Sequence, residues 1–296
     1  MTTPSSINVS GRPPAGGWQE HVPGAEQLAA RVTAAIRGLG GRVVVAFSGG
    51  VDSSVVAKLA TRALGPEGAL CVLARSESNT GEDEALCRRI AAEHGLSLRV
   101  VEYSELAIPN YARNPADRCY YCKNELYERL AALARAEGYA AVLDGSNADD
   151  AGDYRPGMRA VAEHGVRSPL RECGVNKAQV RELARHLGLP NHDRPAAPCL
   201  SSRVPYGQEI TRGKLDAIAA AERYLRGLGL REFRCRHHGE VARLEVPPED
   251  FPLVLENRDR IVSEFRRLGF VWVAMDLAGF RSGSLNAVLN RRGSEG

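Results

Sequence analysis

The stretch 45-VAFSGGVDSS-54 decides the fold of this chain. An apolar run ends at Phe47 and passes through two glycines into the polar start of a helical pattern, DSSVVAKLATRALG. The N-terminus of a helix attracts anions, because its first N–H groups are unpaired and its dipole is positive there. Gly49 and Gly50 let the backbone approach an oxyanion without a Cβ in the way. The stretch therefore predicts a phosphate-binding loop between a strand and a helix.

The polar side chains of this loop suit the same role. The hydroxyls of Ser48, Ser53 and Ser54 can donate hydrogen bonds, and Asp52 can hold a metal ion or cap the helix. The alternative is a plain strand–turn–helix, which two glycines alone would favour but the whole motif does not. The loop also lacks the Gly-Lys-Ser/Thr ending of a Walker loop, which disfavours a cradle for a γ-phosphate.

Outward from the loop, helical patterns alternate with short apolar strands. The predicted strands are RVVVAF, ALCVLAR, LSLRVVEY and AAVLDG. Continuous apolar strands separated by helices indicate a parallel sheet covered on both faces, and we expect this α/β domain to span residues 24–204. Beyond it the pattern changes to α+β, with two strands that meet at His238-Gly239. This change predicts a smaller second domain at residues 205–296.

Length and composition are those of an ordinary globular protein. The chain has 296 residues, of which 44% are hydrophobic and 25% are charged, and its net charge is +3. This charge does not indicate a protein that coats nucleic acid, and no apolar run is long enough to span a membrane. Residues 1–23 lack the features of a signal peptide and are predicted to form a disordered tail. The odd number of cysteines indicates a reducing, cytoplasmic environment.

A second polar stretch, 144-DGSNADD-150, follows the fourth predicted strand. The carboxyl ends of parallel strands are where α/β sheets bind ligands. In a PP-loop protein, the family that SGGVDSS resembles, this stretch is expected to form a wall that faces a nucleotide or Mg²⁺, with Asp144 and Asp149 as the candidates. An Asx-rich turn is the alternative for the isolated string.

The cysteines divide into two groups. Cys71, Cys87 and Cys235 fall on predicted strands and a helix and are expected to be inert, whereas Cys119 and Cys122 form a CxxC in 118-RCYYCK-123. A redox role for this CxxC is disfavoured because the sequence around it does not resemble thioredoxin. A zinc site would need a second pair of ligands. His237 and His238 do not supply it, because adjacent side chains on a strand point to opposite faces.

Cys199 supplies a third thiol to consider with this pair. It lies in the loop APCLSSR beside Arg203, and a nearby guanidinium lowers the pKa of a thiol. Three thiolates can hold a [4Fe-4S] cluster and leave one iron open for sulfide or a substrate. The three cysteines are therefore candidate cluster ligands.

The motif SGGVDSS resembles the PP-loop family of ATP pyrophosphatases, whose pattern is SGGxDS. Members transfer AMP to a substrate oxygen and release pyrophosphate, so the resemblance implies ATP and Mg²⁺ as cofactors. It implies that Ser48, Gly50, Asp52 and Ser53 bind the pyrophosphate end. Backbone near Ala46 and after the second strand, at Leu73 and Arg75, is expected to frame the adenosine.

Five stretches together resemble the LarE family of PP-loop sulfurtransferases, over residues 25–290. They are SGGVDSS, DGSNADD, PCLSSRVPYG, FRCRHHGEVARLEV and DLAGFRSGSLN. The resemblance implies that the enzyme adenylylates a carboxylate of pyridinium-3,5-biscarboxylic acid mononucleotide and that a protein sulfur then forms the thiocarboxylate. Two such rounds belong to synthesis of the nickel-pincer nucleotide cofactor of lactate racemase.

The family uses two sources of sulfur. Some members sacrifice the sulfur of the cysteine that matches Cys199, and others relay sulfide through a [4Fe-4S] cluster on three cysteines. Because this chain has Cys119, Cys122 and Cys199, the resemblance favours the cluster and leaves the sacrificial route as the alternative. The source of the sulfide stays open.

The resemblance also implies a site for the substrate nucleotide. Glu222, Arg234 and Arg236 match family positions, and Arg203 is a further candidate for the substrate phosphate. Arg234 and Arg236 lie two apart on a strand and so share a face, as a bidentate phosphate site needs. The alternatives are a solvated strand face for the arginines and a surface carboxylate for Glu222.

Three rival functions differ in their partners. A tRNA thiolase would use the same adenylation on a base, but usually adds an RNA-binding module. An amidotransferase-type ligase would need a glutaminase domain, and a cluster protein without enzymatic activity would not need the phosphate loop. We therefore expect a homo-oligomeric enzyme that acts on a small nucleotide, with no nucleic-acid or membrane partner.

Overall fold

The computed structural model describes residues 24–152, 156–195, 198–281 and 283–286. The tail predicted at residues 1–23 lies outside these residues. No helix in the described part of the chain is long and apolar enough to cross a membrane.

Four parallel strands form the first sheet. They are β1 (Val43–Ala46), β2 (Ala69–Arg75), β3 (Ser97–Glu102) and β4 (Ala141–Leu143), in the order β3-β2-β1-β4. The chain builds outward from β1 to β3 and then places β4 on the other side of β1. The strand order therefore reverses between β1 and β4, and α/β sheets bind ligands in the crevice at such a point.

Eight helices accompany this sheet in the described residues. They are α1 (Ala25–Arg37), α2 (Val51–Leu64), α3 (Gly81–His94), α4 (Pro109–Ala112), α5 (Arg118–Glu137), α6 (Gly157–Glu163), α7 (Pro169–Glu172) and α8 (Lys177–His186). Side-chain caps fix where two of them begin. Thr80 and Asp83 form a capping box at α3, and Asn176 and Gln179 form another at α8. The second cap places Lys177 at the first position of α8.

Helices cover both faces of the sheet because successive strand residues point to opposite sides. Val43 and Val45 of β1 pack in one apolar cluster with residues of α1, α2 and α8. Val44 packs in a second cluster with residues of α5 and α6. A parallel sheet buried on both faces explains why its strands read as continuous apolar runs.

The second sheet is smaller and mixed. It follows the 3-10 helix Leu200–Arg203 and α9 (Arg212–Gly227), and its strands are β5 (Arg234–His238), β6 (Val241–Glu245) and β7 (Trp272–Met275). β5 and β6 are antiparallel around Gly239, whose φ is 66°, and β6 pairs in parallel with β7. Helices α10 (Phe251–Glu256) and α11 (Arg258–Arg267) connect β6 to β7. Cys235, Leu244 and Phe265 lie in the core of this part.

The predicted fold class is confirmed: a parallel sheet covered by helices is followed by a smaller α+β part. The two sheets lie on either side of the boundary predicted at residue 204. The division of the chain into two domains at that residue stays a prediction.

Candidate active site

The phosphate loop connects β1 to α2 by a tight turn. Gly49 has a φ of 72°, and a Cβ at this residue would lie 2.8 Å from Cys87 Sγ. Only glycine fits this conformation and this space. Ser53 Oγ donates to the carbonyl of Gly50 at 3.1 Å and accepts from the N–H of Ser48 at 3.3 Å. These hydrogen bonds hold the loop against the first turn of α2, and Ser48 remains exposed to solvent.

The polar stretch after β4 lies directly against this loop. A Cβ at Gly145 would lie 2.7 Å from Ser53 N, so only glycine allows this approach. Asn147 Nδ2 donates to Asp52 Oδ1 at 3.1 Å. The structure therefore brings the predicted residues of the loop and of the stretch 144–150 together at the reversal point of the sheet.

Asp52 also forms an ion pair with Lys177, which the sequence analysis did not identify. Lys177 is 125 positions away in the sequence, and its backbone N–H donates to Asp149 Oδ2 at 2.9 Å. No spacing or motif links two residues so far apart. The capping box at Asn176 predicts that a helix begins at Lys177, but it does not indicate which residues Lys177 contacts.

The acidic groups here are suited to Mg²⁺. The ammonium of Lys177 lies against the Asp52 carboxylate, which shows that this position accepts a cation. Mg²⁺ is usually held by one or two carboxylates together with substrate phosphates, and Asp52 and Asp149 are the carboxylates that remain accessible. Within the described residues, no three His, Cys, Asp or Glu side chains form a ready metal site. The phosphates of ATP would therefore have to complete the coordination.

Asp144 is committed to the fold. It is 2% exposed and accepts hydrogen bonds from Tyr127 Oη at 3.0 Å, Ser168 Oγ at 2.7 Å and the Oγ and N of Ser146 at 2.6 and 3.1 Å. These four bonds use the acceptor capacity of a carboxylate. Asp144 therefore shapes the end of β4, and Asp149 is the better candidate of the two for a ligand.

A cleft of about 590 Å³ opens at the carboxyl ends of β2 and β3. Leu73, Arg75 and Ser76 line it on the β2 side. The Arg75 side chain is paired with Glu84 and Glu102. The size is in the range of small-molecule sites, and Leu73 directly follows Val72, which pairs with Ala46 in the sheet. Leu73 and Arg75, which were expected to frame adenosine, line this cleft, whereas Ala46 does not. Binding of adenosine here stays a prediction.

The candidate cluster ligands come from two elements. Cys119 and Cys122 lie in the first turn of α5, and Cys199 directly precedes the 3-10 helix Leu200–Arg203. Cys119 and Cys199 are exposed, and Cys122 is half-buried. The N–H of Leu200 donates to the carbonyl of Ser78 at 3.2 Å, which ties the Cys199 loop to the loop after β2.

Cys199 interacts electrostatically with both of the other thiols. The lowered pKa expected for Cys199 beside Arg203 is not found. Desolvation by the surrounding protein raises the pKa of this thiol, Glu105 and Cys119 add to the rise, and the charges of Arg118 and Arg203 do not outweigh it. Burial likewise raises the pKa of Cys122, with contributions from Glu105 and Cys199. The structure therefore brings Cys119, Cys122 and Cys199 into one group, although they are not arranged around a single ion.

Glu105 is a second residue that the sequence analysis missed. It is 3% exposed, and it accepts hydrogen bonds from Cys122 Sγ at 2.9 Å, Tyr103 Oη at 3.2 Å and Tyr111 Oη at 2.9 Å. Tyr111 is also bonded to Ser201, two residues after Cys199. One buried carboxylate thus connects the CxxC helix to the Cys199 loop. In the sequence Glu105 is an ordinary acidic residue after β3, and nothing distinguishes it.

Three of the remaining cysteines are buried. Cys71, Cys87 and Cys235 are all 0% exposed. Burial raises the pKa of Cys71 and of Cys87 to about 12 and raises that of Cys235 as well. These thiols are core residues, as expected.

Arg203 and Glu222 form a buried pair beside Cys199. Arg203 Nε and Nη2 donate to Glu222 at 2.8 and 3.0 Å, and Arg203 Nη1 donates to the carbonyl of Cys199 at 3.1 Å. Their side chains are 4% and 7% exposed. Glu222 is therefore not a surface carboxylate, and it fixes the arginine that holds the Cys199 loop.

The two arginines of β5 differ in their surroundings. Arg236 is 5% exposed and pairs with Glu245 at 2.8 Å, so it does not belong to a solvated strand face. Arg234 is half-buried over the ring of Phe280. Burial lowers the pKa of Arg234 to about 10, and the positive charges of Arg203 and Arg236 contribute. Three guanidinium groups therefore lie close together, an arrangement that an anion would stabilise.

Comparison with known proteins finds relatives over most of the chain. A family model described as NAD synthase matches residues 27–117. An uncharacterised protein of Synechocystis sp. is 45% identical over 252 residues, which are 84% of this chain and 94% of the relative. The pyridinium-3,5-bisthiocarboxylic acid mononucleotide synthase of Lactiplantibacillus plantarum is 41% identical over 250 residues, which are 84% of this chain and 91% of the relative. An uncharacterised protein of Methanocaldococcus jannaschii is 27% identical over 243 residues, 81% and 91% of the two chains.

Proposed function

This chain belongs to the LarE family of ATP-dependent PP-loop sulfurtransferases, and we propose that it converts a carboxylate of pyridinium-3,5-biscarboxylic acid mononucleotide into a thiocarboxylate. The relative from Lactiplantibacillus plantarum is named for the bisthiocarboxylic acid product, which supports this choice of substrate. The observation that carries the proposal is the position of Cys199. The N–H of Leu200 donates to Ser78 in the loop after β2, and Arg203, which is paired with Glu222, donates to the carbonyl of Cys199.

The first half-reaction is adenylylation of the carboxylate. Ser48, Ser53 and the N-terminus of α2 bind the pyrophosphate end of ATP. Asp52 and Asp149 would hold Mg²⁺, which would neutralise charge on the phosphates. Lys177, which pairs with Asp52, is placed to bind the phosphates as well. A carboxylate oxygen attacks the α-phosphorus, the bond from this phosphorus to the bridging oxygen breaks, and pyrophosphate leaves with the electron pair. Stabilisation of that leaving group is electrostatic.

The second half-reaction exchanges AMP for sulfur. A sulfur nucleophile attacks the acyl carbon, the bond to the AMP oxygen breaks, and AMP leaves with the electron pair. Arg203, held by Glu222, supports the Cys199 loop during this step. Arg234 and Arg236 bind the phosphate of the substrate nucleotide, and charge-assisted hydrogen bonds of this kind are among the stronger ones.

We further propose that the sulfur comes through a [4Fe-4S] cluster on Cys119, Cys122 and Cys199. Cys199 interacts electrostatically with Cys119 and with Cys122. Burial raises the pKa of Cys122 and of Cys199, and the positive charges of Lys123 and Arg118 act against this rise and so favour the thiolates that a cluster needs. When bound, such a cluster would supply an iron that is open to sulfide. Thiolates around a cluster lie further apart than the ligands of one ion, so the lack of a single-ion site in the described residues is compatible with this proposal.

A turnover assay tests the choice of substrate. The protein is incubated with ATP and Mg²⁺ in the presence of the pyridinium nucleotide, of tRNA, or of neither, and pyrophosphate release is measured. We expect release to depend on the pyridinium nucleotide. Release that depends on tRNA would overturn this proposal in favour of a tRNA thiolase.

A further inference from the structure

The proposed function requires a positive charge between the phosphate loop and the cysteines. The reacting carboxylate must reach the α-phosphate, and the same carbon must later meet the sulfur near Cys199. Substrate carboxylate and triphosphate are both anions, and they repel each other strongly in a site from which water is excluded. Asp52 adds a further negative charge to the phosphate site, where it is paired with Lys177. A cation on the side that faces the cysteines would offset this repulsion where the carboxylate approaches the phosphates.

Lys123 occupies this region. It lies on α5, four residues after Cys119, and so shares a helix face with that cysteine. Its Nζ donates to Tyr127 Oη at 2.9 Å, and Tyr127 Oη donates to Asp144 Oδ2 at 3.0 Å. The ammonium interacts electrostatically with Asp144 and with Cys122. Lys123 therefore lies between the end of β4, which packs on the phosphate loop, and the CxxC.

The position of the Lys123 side chain is built into the fold. A Cβ at Gly157, the first residue of α6, would lie 2.9 Å from Lys123 Cγ. The absence of a side chain at Gly157 thus leaves room for the Lys123 stem. Among the described residues no carboxylate pairs with Lys123, and its hydrogen bond goes to a neutral hydroxyl. An ammonium has three donors, and the hydrogen bonds within the described residues use one of them.

We propose that Lys123 is a substrate-binding residue of the reaction, and that its ammonium binds the carboxylate that becomes adenylylated. This inference rests on the proposed function. The ammonium keeps its proton throughout: it offsets the repulsion as the carboxylate oxygen bonds to the α-phosphorus and pyrophosphate departs. When sulfur then adds to the acyl carbon, the same group stabilises the negative oxygen until AMP leaves.

Lys123→Met tests the proposal, with Lys58→Met as its matched control. Lys58 is also half-buried, and its Nζ donates to the carbonyl of His94 at 3.3 Å, away from the site. Loss of a charge-assisted hydrogen bond should raise the KM for the pyridinium nucleotide about tenfold to a hundredfold in Lys123→Met. ATP affinity, measured by calorimetry without the second substrate, should not change. Lys58→Met should match the wild type in both measurements.

Gly157→Ala provides a second variant that retains the charge. The added Cβ should displace the Lys123 stem and raise the same KM by a smaller factor, with ATP affinity unchanged. If both variants fold and keep the wild-type KM and kcat for the pyridinium nucleotide, Lys123 is a structural residue and the proposal is wrong. A loss of ATP affinity in Lys123→Met would also contradict it. If the wild type releases no pyrophosphate with this nucleotide, the proposed function itself fails.

Discussion

At the scale of single residues, the phosphate site depends on contacts between side chains that are distant in the sequence. Asp52 could be predicted from SGGVDSS, because the motif places a carboxylate in the first turn of a helix. Its partners Asn147 and Lys177 could not, since only the reversal of strand order between β1 and β4 brings them together. Glu105 could not be predicted either, because its contact with Cys122 depends on how α5 packs against the segment that follows β3.

Asp52→Asn should abolish adenylylation and leave the fold intact. Asparagine has the same shape and can still accept from Asn147, but it removes the charge that pairs with Lys177 and that is proposed to hold Mg²⁺. The measurement is pyrophosphate release, with the melting temperature as the control for folding. Release at the wild-type rate would show that the ATP site has been placed wrongly.

Arg234→Ala should weaken binding of the substrate nucleotide and spare ATP binding. A charge-assisted phosphate hydrogen bond contributes roughly 1.5–3 kcal/mol, so a loss of about tenfold to a hundredfold is expected. The pKa of Arg234 is lowered to about 10, so the side chain remains charged at neutral pH.

Arg236→Ala should weaken the same binding but should also lower the melting temperature, because Glu245 is 0% exposed and loses a partner. Arg234→Ala is therefore the variant that tests the phosphate site, and calorimetry with the nucleotide measures it. Unchanged affinity in both variants would remove the arginines of β5 from the substrate site.

At the scale of elements, the sequence predicted the strands and helices well because burial dictates their patterns. ALCVLAR was predicted as a strand and forms β2 at Ala69–Arg75. The hairpin predicted at His238-Gly239 joins β5 to β6. The sequence did not reveal whether a polar side chain at the end of a strand faces a ligand or the protein interior. Asp144 was expected to face a ligand, but four hydrogen bonds to Tyr127, Ser146 and Ser168 turn it inward.

The placement of cysteines on elements predicts their reactivity. Cys71, Cys87 and Cys235 lie inside strands or against the sheet, and burial raises the pKa of each thiol. Because only the thiolate reacts, iodoacetamide at pH 8 should leave all three unmodified in the folded, cluster-free protein. The exposed Cys119 should be labelled, as mass spectrometry of peptides would show. Labelling of the three buried thiols at the rate of Cys119 would contradict the packing described here.

At the scale of the whole molecule, the Cys199 loop is held by both sheets. The N–H of Leu200 donates a hydrogen bond to Ser78 in the loop after β2. From the other side, Arg236 of β5 donates to the carbonyl of Ser202 at 2.7 Å. Glu222 of α9 holds Arg203 from the side of the second sheet. The loop that carries the third thiol is thus anchored on both sides. The predicted homo-oligomer stays a prediction.

Experiments on the three cysteines can distinguish between the two possible sources of sulfur. If Cys119, Cys122 and Cys199 hold a [4Fe-4S] cluster, the anaerobically reconstituted protein should contain about four irons, and replacement of any of the three cysteines by alanine should destabilise the cluster. If Cys199 is sacrificed, Cys119→Ala and Cys122→Ala should be nearly silent in the transfer of one sulfur per chain.

The most direct test is mass spectrometry of both product and enzyme after turnover. The reconstituted protein receives ATP, Mg²⁺, sulfide and the pyridinium nucleotide under anaerobic conditions. We predict more than one thiocarboxylate per chain and an enzyme of unchanged mass. Dehydroalanine at residue 199 would contradict the cluster relay, and the absence of any thiocarboxylate would contradict the sulfurtransferase reaction proposed for this site.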